Sequence, residues 1–149
     1  MILYLDTSGK VAKVWLDETP AEFELDRNMA KELLGKIDNF LRENHTNWRK
    51  LTGLALMRGS GSFTGLRIGA SILNAVASSE HIPIVGEKMV DREKTVMDKK
   101  MAANKKTKTD ENGGERWRMA AKQRLLGHQN DRVVVPFYHS EANITRQKR

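Results

Sequence analysis

Apolar and polar positions alternate in short, well-separated runs over residues 1–87. Ile2 to Leu5 is apolar. After Asp6-Thr-Ser-Gly-Lys10 come Val11, Val14 and Leu16, so two short strands joined by a Ser-Gly turn read as a hairpin. Pro20 to Leu25 also alternates, with Phe23 and Leu25 facing in and Glu22 and Glu24 facing out, which predicts a third strand. Asp26 then stands where a helix N-cap is expected. From Arg27 to Asn44, the residues Met29, Leu33, Leu34, Ile37, Phe40 and Leu41 fall on one helical stripe. Leu51 to Met57 predicts a strand, Gly59 to Gly65 a turn, and Thr64 to Ser79 a helix. That helix is apolar all round its cylinder (Leu66, Ile68, Ala70, Ile72, Leu73, Ala75, Val76, Ala77). His81 to Gly86 supplies a last strand. The order βββαβαβ, hairpin connections first and helix crossovers after, is that of an α/β, ribonuclease-H-like mixed sheet.

Beyond Lys88 the pattern changes. Met89 to Thr109 is polar and Lys-rich, and Asp110 to Gly114 reads as a turn or linker. Glu115 to Leu126 predicts a basic helix. Trp117, Ala120, Ala121, Leu125 and Leu126 lie on one face, with Arg116, Arg118, Lys122 and Arg124 off it. Such a helix either docks on RNA or an acidic protein, or covers exposed sheet. Val133 to Tyr138 reads as an extended segment limited by Pro136, and Arg146 to Arg149 as a frayed end. Three regions result: a lobe over 1–87, a basic low-complexity or helical segment over 88–132, and an extended segment over 133–149.

Charge sharpens this division. Residues 1–87 hold 10 Lys and Arg against 11 Asp and Glu, whereas residues 88–149 hold 16 against 8. The net +7 therefore sits in the second part. A basic tail favours RNA or another polyanion through counterion release, or is simply solvated and partly disordered. The absence of cysteine excludes disulfides and thiolate-ligated metal sites. The N-terminus turns acidic at Asp6 and lacks the pattern of a signal peptide, and no apolar run is long enough to span a bilayer. A cytoplasmic protein is expected, so the Asn143-Ile-Thr145 sequon reads as accidental.

The candidate chemistry is sparse. The Gly loop launches a helix at Ser62 or Thr64, both good N-cap types, and is either an anion site or a tight turn with no ligand. No Gly-Lys-Ser/Thr follows it, so it is not a Walker A loop, and its serines stand in the wrong slots for a nucleophile elbow. His45, His81, His128 and His139 are scattered and read as surface residues. No metal ion or cofactor is expected. Asp6-Thr7-Ser8-Gly9 fits either a phosphate and Mg²⁺ contact or an ordinary Asx turn. The all-round apolar helix, with Gly65 and Gly69 four apart, is either buried centrally or shared between the sheet and a partner.

Two stretches together carry a resemblance. Met1-Ile-Leu-Tyr-Leu-Asp-Thr-Ser8 and Gly59-Ser-Gly-Ser-Phe-Thr-Gly-Leu-Arg-Ile-Gly69 resemble the TsaB family, whose loop has Pro where this chain has Ser60. Pro136-Phe-Tyr138, with Ile144-Thr145 downstream, is a weaker echo of the family's ending, with His139-Ser140 in place of Leu-Arg. The resemblance implies one actin-like (ASKHA) lobe, with the usual second lobe absent or reduced. It implies a non-catalytic dimerization subunit of the machinery that makes N6-threonylcarbamoyladenosine in tRNA. Such a subunit pairs through its helices with a catalytic TsaD-type subunit, joined by a TsaE-type ATPase, and meets tRNA through the complex; whether it forms a homodimer when that partner is absent is left open by the sequence. Carried over by position, the partner face is Phe63, Thr64, Gly65, Arg67, Ile68, Gly69 and Ile72, with Leu33, Ile37 and Phe40. Gly59, Gly61 and Ser62 are the structural loop, and Asp6, Thr7 and Ser8 a relic of a phosphate-binding hairpin. Two other readings are a stand-alone RNA-binding module led by the basic tail and an actin-like phosphotransferase with Asp6 as its Mg²⁺ anchor.

Overall fold

The computed structural model describes residues 1–24, 28–88 and 111–138. Leu25 as a strand residue, Asp26 as N-cap, Arg27 as helix start, Met89 to Asp110, His139-Ser140, Ile144-Thr145 and the chain end lie outside them.

Five strands form one mixed sheet: β1 (Ile2–Asp6), β2 (Val11–Leu16), β3 (Thr19–Glu24), β4 (Gly53–Met57) and β5 (Ile84–Glu87). Their spatial order is β3-β2-β1-β4-β5. β1 pairs antiparallel with β2 and parallel with β4, and β4 pairs parallel with β5. The predicted βββαβαβ order and the ribonuclease-H-like lobe are both present. β1 and β4 are central and buried at every residue, which is why they read as unbroken apolar runs. In β2 the burial alternates, with Ala12, Val14 and Leu16 on the core side. In β3, Ala21 and Phe23 pack toward the core while Glu22 and Glu24 face solvent.

One face carries α1 (Met29–Glu43) and α2 (Phe63–Glu80). The α1 stripe is buried at Met29, Leu33, Ile37, Phe40 and Leu41, but Leu34, expected on it, is exposed. A 3-10 turn, Trp48–Lys50, precedes β4, so that strand starts two residues later than expected.

The opposite face is closed by α3 (Glu111–Leu126). Of the two readings of the basic helix, covering the sheet is the one its packing follows. Trp117 is fully buried, edge-on to Tyr4 (5.9 Å) and Trp15 (6.2 Å), and Ala121 and Leu125 pack beside it. Leu126, assigned to the same face, is exposed. The expected linker from Glu111 to Gly114 is instead the first turn of α3. Its glycines lower helix propensity, but burial of Trp117 over the sheet outweighs that cost of about 1 kcal/mol each. Two of the helix cations serve the fold. Arg118 lies 4.7 Å over the Trp15 ring and 3.8 Å from Glu18. Arg124 joins Asp131 and Glu87, the latter at 2.9 Å.

The segment after α3 returns over the end of β5. Asn130 and Asp131 side chains accept from the Ile84 and Gly86 amides at 3.1 and 2.9 Å, where a further strand would have bonded. Val134 is buried in the α1/α2 core, and its backbone N–H and C=O both bond the Asn74 amide at 2.8 Å. Val133 to Tyr138 forms no regular strand.

Three histidines have a shared local role. His45, His81 and His128 each follow a helix and adopt positive φ (54°, 57° and 58°), ending α1, α2 and α3. They are exposed, as expected of surface residues. Among the described residues no group of three or more His, Asp or Glu is placed to share a metal ion. No described helix is long and apolar enough to cross a membrane.

Candidate functional site

The two stretches that resemble TsaB meet in space. β4 ends at Met57, and the chain turns through Gly59, whose φ of 135° is open only to glycine. Ser62 then caps α2: its side-chain oxygen accepts from the Gly65 N–H at 3.2 Å. The Ser62 N–H donates back to the Ser8 carbonyl at 2.8 Å, and the Ser8 N–H donates to the Asp6 carboxylate at 2.9 Å. The Asp6 to Ser8 hairpin and the Gly loop are thus one hydrogen-bonded unit.

Glycine is required at each point of contact. A methyl group at Gly61 would collide with Ser8, one at Gly65 with the Thr7 carbonyl oxygen, and one at Gly69 with the Thr7 hydroxyl. Thr7 is fully buried, and its hydroxyl has no hydrogen-bond partner among the described residues. Of the relic triad, Asp6 and Thr7 are therefore interior and only Ser8 is half-exposed. Beside them an open groove of about 700 Å³ is lined by Ser8, the cations Lys10, Lys13 and Arg118, and the carboxylates Asp6, Glu22 and Glu115. Its cations and carboxylates balance, so it has no net pull on an anion. The Ser62 donor and acceptor that would hold a phosphate are already engaged within the unit.

The residues assigned to a partner face divide sharply. Phe63, Thr64 and Arg67 are exposed, and Ile68 and Ile72 are half-buried against the core. Gly65 and Gly69 are buried and point at Thr7, not outward. Leu33, Ile37 and Phe40 are inside the monomer's core, claimed by the sheet. A partner face on this molecule therefore excludes these five. The outer flank of α2 consists of Phe63, Thr64, Arg67, Ser71, Ala75 and Ser78, all exposed, of which Ser71 and Ser78 were not singled out from the sequence and Ala75 was read only as part of the apolar cylinder. Their period of three to four was the available signal.

The weak echo at Pro136-Phe-Tyr138 lies at the same place. The Phe137 N–H donates to the Arg58 carbonyl, and the Phe137 carbonyl sits where a Gly59 side chain would be. The Tyr138 ring packs on Phe63 with centroids 4.7 Å apart, and the Arg67 guanidinium is 5.2 Å from the Phe63 ring centre. All three stretches of the resemblance converge on the start of α2.

A family model described as TsaD, tRNA N6-adenosine threonylcarbamoyltransferase, matches residues 23–91. The tRNA threonylcarbamoyladenosine biosynthesis protein TsaB of Escherichia coli K12 is 36% identical over 89 residues, covering 57% of this chain and 38% of the relative. TsaB of Haemophilus influenzae is 33% identical over 88 residues, covering 56% and 37%. The chain spans about two fifths of the length of these relatives. Among solved structures, YeaZ from Pseudomonas aeruginosa superposes with a TM-score of 0.51 at 24% identity, over 58% of this chain and 43% of that one. A second structure, described as similar to peptidase YeaZ from the same organism, gives 0.52 at 24%.

Proposed function

We propose that this chain, a partial-length relative of the TsaB family, is a non-catalytic scaffold in tRNA threonylcarbamoyladenosine biosynthesis that pairs through α2 with a TsaD-type catalytic subunit. The observation that carries the reading is the outer flank of α2. Ser71, Ala75 and Ser78 leave a solvent-facing stripe of small side chains, along which another helix can approach closely. The Asp6 to Ser8 hairpin and the Gly loop fix the angle of that helix from its first turn. Catalysis in this reading belongs to the partner, and the TsaE-type ATPase and tRNA join through it. The family likeness supports the pathway, and the inward commitment of Asp6 and Thr7 supports a structural rather than a chemical role for the hairpin.

The test is coexpression with the TsaD-type protein of the same organism, followed by gel filtration. The two are expected to elute together, and the double variant Ser71→Arg/Ala75→Arg to elute separately with an unchanged melting temperature. Separate elution of the unaltered proteins, both folded, would overturn the reading.

A further inference from the structure

Half of the large apolar side chains exposed among the described residues belong to α2 and the tail that runs along it: Phe63 (50%), Val133 (62%), Val135 (62%) and Tyr138 (39%). The geometry that collects them is simple. Val134 is bonded to Asn74, and Tyr138 is stacked on Phe63. From Asn74 back to Phe63 is about 16 Å of helix, and from Val134 to Tyr138 about 13 Å of extended chain. The tail therefore runs antiparallel along α2. Val134 points into the core, leaving Val133 and Val135 outward.

We propose that this ledge (Phe63, Val133, Val135 and Tyr138, rimmed by Arg67 and Arg132) is a docking surface for an apolar segment of the protein partner that carries Asp or Glu beside its anchor residues. The inference rests on the partner reading above and extends it, because the ledge continues the outer flank of α2. Exposed apolar surface of this continuity marks an interaction site. Charge decides its occupant. Arg67 and Arg132 have no ion-pair partner among the described residues, while Asp131, next to Arg132 in the chain, and Glu87 are held by Arg124. A second copy of the chain would bring the same cations to the contact. The segment that follows Tyr138 carries Arg146, Lys148 and Arg149 against Glu141, and would also repel. Carboxylates from another protein complement the rim. Nucleic acid fits less well. Bases stack on free ring faces, but Phe63 already carries the Tyr138 ring and the Arg67 guanidinium, and the rest of the ledge is aliphatic.

The test is calorimetric titration of the full chain with the TsaD-type partner. Val133→Ser/Val135→Ser and Tyr138→Ser alter exposed positions, and each is expected to weaken binding about tenfold or more. Arg67→Glu is expected to weaken it similarly and to reduce its dependence on salt between 50 and 500 mM. If the unaltered pair does not bind, the partner reading itself fails. If it binds and all three ledge variants bind like the unaltered chain, only the ledge inference fails. The same variants are titrated with labelled tRNA by anisotropy. Loss of tRNA affinity with partner affinity intact would reassign the ledge to nucleic acid and overturn the proposal.

Discussion

Gly69 in α2 lies against Thr7 at the end of β1 so closely that a single methyl group at position 69 would overlap the threonine hydroxyl. The first helical turns after the Gly loop are therefore seated on the N-terminal hairpin, sixty residues earlier in the chain. Alanine favours a helix by about 1 kcal/mol over glycine, but overpacking at a rigid contact costs about 1–3 kcal/mol. Gly69→Ala is expected to be destabilising by urea denaturation. Gly35→Ala, in α1 with open space around it, is expected to gain up to about 1 kcal/mol. A gain at both positions would mean that the Thr7 contact is soft.

Trp117 is the cover of the second sheet face. Its removal uncovers Tyr4, Met57 and Val85 together. Trp117→Ala is expected to lose about 3–5 kcal/mol and to bind an apolar dye that the parent chain ignores. An unchanged denaturation midpoint would show that α3 is dispensable as a cover. The same packing means that cutting the chain after Glu87 does not isolate the basic tail's contribution to RNA binding, because it also strips a face of the sheet.

Acid sensitivity is expected to centre on Asp131. Burial pushes its carboxyl up, but the Arg124 hydrogen bond, the Gly86 N–H and the charges of Arg124 and Arg58 outweigh burial and hold it below the usual carboxylate range. A carboxyl lowered in the folded state contributes stability that is complete above its unfolded value of about 3.9 and is lost as pH falls through the folded one. Stability should therefore hold down to about pH 4 and fall below it. Arg124→Gln, which lets the folded carboxyl rise toward its unfolded value, should shrink the fall, and Asp131→Asn should flatten it. Identical acid limbs in all three proteins, followed by urea midpoints across pH 2–7, would remove Asp131 from this role.

The sheet and the helices α1 and α2 were legible because burial writes itself into sequence as period: unbroken in β1 and β4, two in β2, 3.6 in α1. The direction of a contact is not written in the same way. Gly65 and Gly69, four apart, announce that another backbone comes close, and they were read as facing a partner. In the fold the close neighbour is the chain's own Thr7, its carbonyl at Gly65 and its hydroxyl at Gly69. Phe40 and Leu33 were misplaced for the same reason, since an apolar stripe does not say whether it faces a sheet or a neighbour. The Gly113-Gly114 pair read as a break because local propensity was weighed without Trp117, whose burial depends on residues far along the chain. The tail's seat depends on the Asn74 side chain acting as a stand-in strand, for which no periodicity exists.

The side-chain bonding along the outer edge of β5 has a consequence for behaviour at high concentration. The Ile84 and Gly86 amides on the outer strand are already taken by Asn130 and Asp131. At the other border Pro20 has no N–H to give, and Glu22 and Glu24 carry exposed charge. A sheet so finished offers no template on which an identical chain can add a strand. Strand addition at the sheet borders is thereby disfavoured, and association is left to the helix flanks.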